Sequence, residues 1–216
     1  MILLVGGHIP KSQDRQKEYE YCLWKNLENP IIQKVYLFVE DHLEDYVKQT
    51  NQELLKCEKL KVIKHEKRVT FLDFFTFANT ELEVGTLISI CNADVFLDTS
   101  ISNLSGFDMT NIFIVLSRAF DVTGGPVVEC DPQRWCDSQD TWMVKVPCVI
   151  KNCNFGLGIR GCDNRLITEA RLAGYRVIDP VTVIKSYHVH ASQYRTYNSI
   201  DPIPGPYQHC FDYTLK

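Results

Sequence analysis

The first ninety residues alternate between short apolar runs and longer amphipathic segments. Ile2 to Val5, Lys34 to Val39, Leu60 to Lys64 and Thr86 to Cys91 are rich in aliphatic and aromatic side chains and predict strands. Between them, apolar residues at helical spacing predict helices from about Ser12 to Glu28, His42 to Cys57 and Thr70 to Thr80. Ser12 and Asp41 are candidate N-caps, and Thr70 with Asp73 reads as a capping box built on the shorter acid. Strand and helix in this alternation imply right-handed βαβ units and a mostly parallel sheet covered on both faces.

Beyond Asp98 the runs shorten and turns separate them. Asn111 to Leu116 and Thr141 to Val146 predict strands, Val122 to Gly125 a turn, and Asp163 to Ala173 a helix ended by Gly174. Tyr175 to Ile178 and Val183 to His190 follow as apolar segments, and the proline-rich stretch from Asp201 to Pro206 predicts a loop. The expected fold class is α/β, a single domain with a central mostly parallel mixed sheet flanked by helices. The chain divides into a regular strand-and-helix half at residues 1–98, a looser mixed half at 99–200 and a tail at 201–216, with a longer parent polypeptide left open.

Composition narrows the classes of function. Apolar residues make up 45% and charged residues 23% of the 216, a soluble globular balance. The net charge of −4 is spread without a basic stripe, which argues against a binder of nucleic-acid backbones. No apolar run approaches the roughly 20 residues of a spanning helix, and the N-terminal run lacks a basic leader, so the expected location is cytoplasmic. Nine cysteines without paired Cys-x-x-Cys spacing read as reduced thiols packed as small hydrophobes.

The candidate chemistry centres on Asn92-Ala93-Asp94, where an apolar strand halts. In α/β proteins such a strand end is where ligands bind. A divalent ion on a diphosphate needs only one or two protein carboxylates, so Asp94 suffices, while Asn92 can bond a ribose hydroxyl or a metal-bound water. The alternative is a polar turn. Arg68, ahead of the Thr70 helix, can pair with a diphosphate or be a solvated cation. Asp140 and Trp142 form an acid and aromatic pair suited to a sugar, although alternation also fits Trp142 to the core. The glycines of Phe155 to Gly161 lead to Asp163, a general base or a helix N-cap, beside Asn164. His188 and His190 share one strand face as metal ligands require, or are ordinary hydrogen-bonded histidines. Gly6-Gly7-His8-Ile9-Pro10 follows the first strand without the dinucleotide fingerprint.

Four of these segments occur in an order that resembles one group of enzymes. Asn92 to Asp98 is similar to the NADIFFD run of GT-A glycosyltransferases found in bacteria and large DNA viruses, including algal viruses. Lys67 to Phe75 with Asn79 resembles their arginine-plus-helix segment, Ser138 to Trp142 their SQDAW run, and Gly161 to Arg165 their acceptor-side GCDNR segment. The resemblance implies a metal-dependent transfer, with inversion, of a hexosyl or deoxyhexosyl group from a UDP-sugar to a carbohydrate acceptor such as a glycoprotein glycan. It implies Mn²⁺ (or Mg²⁺) on Asp94, His190 and His188. Donor binding falls to Gly7, His8, Ile9, Pro10, Arg68, Asn79, Asn92, Ala93, Asp94 and Arg195, and acceptor binding to Trp142, Gly161 and Asn164. Asp163 and Asp140 are the catalytic candidates. Two other classes stay open: a nucleotidyltransferase that makes nucleotide-sugars, and a non-catalytic carbohydrate-binding module.

Overall fold

A computed structural model describes residues 1–122, 126–131, 138–192 and 201–215. Four strands, β1 (Ile2–Gly7), β2 (Lys34–Val39), β3 (Leu60–Lys64) and β4 (Leu87–Cys91), pair in parallel in the spatial order β4-β1-β2-β3. The helices between them are α1 (Gln13–Glu28), the short α2 (Leu43–Gln49) and α3 (Gln52–Leu55), and α4 (Phe71–Glu81). Further along the chain come β5 (Val95–Leu97), a 3₁₀ turn at Thr99–Leu104, β6 (Ile112–Ser117), β7 (Phe120–Val122) and β8 (Val128–Glu129). β9 (Gln139–Lys145), α5 (Cys162–Leu172), β10 (Arg176–Ile178) and β11 (Ser186–Val189) complete the fold.

The main sheet runs β10-β6-β9-β4-β1-β2-β3. Among its described strands only β9 is reversed, being antiparallel to both β4 and β6. Alternation along each strand sends side chains to two cores, as a sheet covered on both faces requires. Leu4, Phe38, Ile90, Phe113 and Trp142 meet Phe71, Phe74 and Phe75 of α4 and Leu166 and Ile167 of α5 on one face. Leu3, Val5, Leu37, Ile114 and Met143 meet Leu23 and Leu27 of α1 on the other.

A second, four-stranded sheet in the order β5-β11-β7-β8 stands at the carboxyl end of β4. Its edge strand β5 is tied to α1 by Asn26, whose amide donates to Val95 O at 2.9 Å and whose Oδ1 accepts from Leu97 N at 3.0 Å. These strands are only two to four residues long, too short for alternation to reveal them.

The capping box at α4 is formed, with Thr70 and Asp73 exchanging hydrogen bonds. The helix expected over His42 to Cys57 instead breaks at Thr50-Asn51, because the Asn51 side chain caps Glu53 N and competes with helix continuation. His42 rather than Asp41 holds the N-cap position of α2, and Asp41 accepts Ile9 N instead. The eight described cysteines are free thiols, six of them buried.

Candidate active site

The carboxyl ends of β1 and β4, the start of β9, the loop before α5 and strand β11 converge on a cleft of about 930 Å³. The pairing geometry explains the convergence. β9 runs against β4, so its first residues lie beside the last residues of β4: Asn92 N donates to Asp140 O at 3.2 Å and Asn92 Nδ2 to Asp140 Oδ1 at 2.8 Å. The turn after Asn92 carries Asp94 onto the second sheet, where Val189 N donates to Asp94 O at 2.8 Å.

Asp94, His188 and His190 are each 7% exposed, and each offers a ligand atom within 4.8 Å of the others. His188 Nε2 lies 3.1 Å and His190 Nδ1 3.9 Å from Asp94 Oδ2, which also pairs with the guanidinium of Arg15. On the other side of the ring, His188 Nδ1 lies 3.0 Å from Asp121 Oδ1. β11 pairs with β7 so that His188 stands opposite Asp121. A carboxylate behind an imidazole is the arrangement that fixes the ring of a metal-ligating histidine. One carboxylate and two imidazoles fit a divalent transition metal.

The charges are tightly coupled. Burial alone would raise the Asp94 pKa, but the His188 charge, hydrogen bonds from His188 and His190, and the Arg15 charge outweigh it and hold the carboxyl well below the ordinary range. Burial pushes the His188 pKa down, yet Asp94 and Asp121 raise it to about 10, so the metal-free imidazole is charged at neutral pH. Arg15 is held further by Glu18 Oε2 at 2.6 Å and Val189 O at 3.0 Å, and stacks on the Tyr19 ring at 4.7 Å.

Two further carboxyl groups line the cleft. Asp140 is buried, its pKa is raised by desolvation and by the nearby Asp94 charge, and its Oδ2 has no partner among the described residues. Asp163 accepts from Gln139 N at 3.3 Å and Asn164 N at 2.9 Å, and burial raises its pKa. Gly161, with φ of +84°, is the N-cap of α5, so Asp163 lies inside the first turn and is not the cap. Both its carboxylate oxygens accept backbone N–H bonds, and the residue lines the cleft.

Most of the residues expected to form a site meet here: His8, Pro10, Arg68, Asn92, Ala93, Asp94, Asp140, Gly161, Asp163, Asn164, His188 and His190. Others do not. Trp142 is 1% exposed and packs edge-on against Phe71 at 4.9 Å, because its position on a central strand points it into the α4 core, so it cannot stack on a sugar. Asn79 is turned away to bridge the backbone of Cys148, donating to its O and accepting from its N, both at 2.8 Å. Gly7 and Ile9 lie outside the cleft wall: Gly7 backs against Leu37 and Tyr46, and Ile9 packs into the α1-side core. Arg195 lies outside the described residues. Sequence reasoning missed Arg15, Glu18 and Asp121 as site residues. A signal existed for the first two: Arg15, Glu18 and Cys22 recur at helical spacing on the buried face of α1, where charge is costly unless paired.

No protein-family model matches the sequence, and no curated protein matches it. Solved structures do. Staphylococcus aureus TarS 1-349, in complex with UDP-GlcNAc, superposes with a TM-score of 0.61 at 11% identity, covering 94% of this chain and 61% of that one. The mannosyltransferase PcManGT from Pyrobaculum calidifontis, in complex with GDP-Man and Mn²⁺, gives 0.56 at 13% identity, covering 91% and 58%. The fold is GT-A. GalNAc-T7 with UDP, GalNAc and Mn²⁺ gives 0.52 at 10% identity, over 94% of this chain and 46% of that one. The chain therefore spans roughly half to three-fifths of these structures' length.

Proposed function

We propose that this protein is a metal-dependent glycosyltransferase that moves a hexosyl or deoxyhexosyl group from a UDP-sugar to a carbohydrate acceptor, with inversion. The observation that carries the reading is the Asp94, His188 and His190 cluster, with His188 held by Asp121, lining a cleft within a GT-A fold. Two imidazoles in the donor set favour Mn²⁺ over Mg²⁺, which prefers oxygen ligands. When bound, the metal supplies positive charge opposite the leaving diphosphate.

The protein's own groups divide the remaining work. Arg68 faces the same cleft and contributes a fixed cation toward the diphosphate. Arg15 keeps Asp94 ionised and in place, its charge being met by Asp94 and Glu18. The main chain at His8 and Pro10, at the carboxyl end of β1, lies where the nucleoside is expected. Asp140, with one free oxygen, accepts hydroxyl hydrogens of the donor sugar. Asp163, whose affinity for protons burial increases, takes the proton of the acceptor hydroxyl at its carboxylate. Attack across the sugar from the diphosphate then inverts the anomeric carbon.

Donor hydrolysis measured over UDP-, GDP- and dTDP-sugars with and without Mn²⁺ tests the reading. A Mn²⁺-dependent release of UDP from one UDP-sugar, lost in Asp94→Ala, is expected. Turnover that ignores the metal, or no binding of any nucleotide, would sink it.

A further inference from the structure

The segment from Asp201 to Leu215 has no helix or strand, yet it is fastened to α5 along its length. Arg165 Nη1 donates to Pro204 O at 2.8 Å and Gly205 O at 2.9 Å, and Thr168 Oγ1 to Pro206 O at 3.1 Å. Gln208 N donates to Asn164 O at 3.2 Å, and Ile203 N to Arg160 O at 2.9 Å. Arg171 reaches Gln208 Oε1 at 2.7 Å, and Cys210 is fully buried in the α4 and α5 core. This anchorage delivers Tyr207 to the rim of the cleft, where it is 46% exposed and lines the opening with Pro202.

The ring is seated by contact. Its hydroxyl donates to Ile203 O, and the ring lies against Gly161 so closely that a Cβ there would come within 2.9 Å of the Tyr207 hydroxyl oxygen and 3.1 Å of two ring carbons. Gly161 is thus glycine for two reasons, its positive φ and the ring above it. Next to it stand Asp163 and Asn164, whose buried Oδ1 has no hydrogen-bond partner among the described residues. A half-exposed aromatic ring at the rim, with an inward-lying amide oxygen and carboxylate in the lining of the same cleft, suits a ligand with an apolar face and a polar edge, and a pyranose has both.

Resting on the glycosyltransferase reading, we propose that Tyr207 is the platform on which the acceptor's sugar ring stacks, with Asn164 and Asp163 facing its hydroxyls. The acceptor class is then a pyranoside rather than a lipid phosphate or a bare peptide hydroxyl. The C-terminal segment supplies the aromatic side chain that Trp142, buried in the core, does not.

The test is direct binding of a panel of methyl and p-nitrophenyl pyranosides by saturation-transfer NMR, on the intact chain. Wild type binds at least one glycoside, Tyr207→Phe keeps that affinity within about twofold, and Tyr207→Ala and Tyr207→Leu weaken it about tenfold. Tyr207→Leu keeps bulk against Gly161, so a loss there reports the aromatic face rather than collapse of the segment. Phe211→Ala, an exposed aromatic on the same segment away from the cleft, serves as the unaffected control. Full affinity in Tyr207→Leu, equal loss in Phe211→Ala, or no glycoside bound by wild type overturns the platform. Thermal stabilisation of wild type by UDP with Mn²⁺, measured in parallel, reports on the donor reading separately.

Discussion

Arg15, in the first turn of α1, forms a buried ion pair with Asp94, which lies 79 positions later in the chain. The pair joins α1 to the turn that holds Asp94, the carboxylate of the candidate metal cluster, and both side chains are about one-tenth exposed or less. Removing one member of a buried pair leaves an uncompensated charge. Asp94→Ala removes the carboxylate shared by two buried cations, leaving the guanidinium to Glu18 and His188 to Asp121, and is expected to lower unfolding free energy by about 3 kcal/mol in urea titrations. Arg15→Lys, which keeps the charge but loses the planar fork shared by Asp94, Glu18 and Val189 O, is expected to cost less.

Metal selectivity follows from the donor set. Mn²⁺ or Co²⁺ is expected to raise the melting temperature at concentrations where Mg²⁺ does not, since magnesium binds imidazole poorly. Saturation at about 100 times the dissociation constant stabilises by roughly 2.7 kcal/mol. His188→Ala should abolish the difference. Equal shifts with Mg²⁺ and Mn²⁺ in wild type would argue against histidine ligation.

Asp163→Asn keeps the size and most hydrogen-bonding capacity of the side chain but cannot take a proton. Acceptor-dependent transfer is expected to fall by about 10² to 10⁴, while UDP with Mn²⁺ still raises the melting temperature. Proton NMR of the wild-type product is expected to show an inverted anomeric configuration. Retention would remove the base role from Asp163.

Asp179 sets a pH dependence of stability away from the cleft. It is fully buried, bonded to the Ser117 hydroxyl and accepting Ser117 N at 3.2 Å, and desolvation raises its pKa from 3.8 to about 7. Below about pH 4 it is protonated in both the folded and unfolded chain. As pH rises through the window up to about 7, the unfolded chain releases the proton while the folded one keeps it, so this contribution to stability is progressively lost and levels off above it. The full swing is on the order of 4 kcal/mol. Asp179→Asn should flatten that slope in denaturation midpoints taken between pH 5 and pH 8.

How much of this was legible depends on sequence distance. β2 and β3 match their predicted bounds, because uninterrupted apolar runs and flanking polar residues are local signals. The cleft residues on strand ends were legible for the same reason: Asp94, Asp140 and His188 each interrupt or close an apolar run. Arg15 was not, since a cation on a helix is ordinary until its partner is known. Asp121 was hidden in a three-residue strand whose only meaning is its pairing opposite His188. Trp142 and Asn79 failed in the other direction. A motif match fixes which residues are present and not which way a strand or helix turns them, and both side chains face inward.

The lone reversed strand has a consequence for how the molecule comes to exist. β9 sits between β4 and β6 and comes after both in the chain, so the strand that bears Asp140 enters the sheet only once the chain has passed through β6 and returned. Residues 1–98 by themselves would present β4 as a bare hydrogen-bonding edge, with Asn92 facing water instead of Asp140. The cleft is therefore created by a long-range closure with high loop entropy, a step that tends to come late in folding. A nascent chain released before residue 145 would hold the nucleotide-side strands but no working pocket.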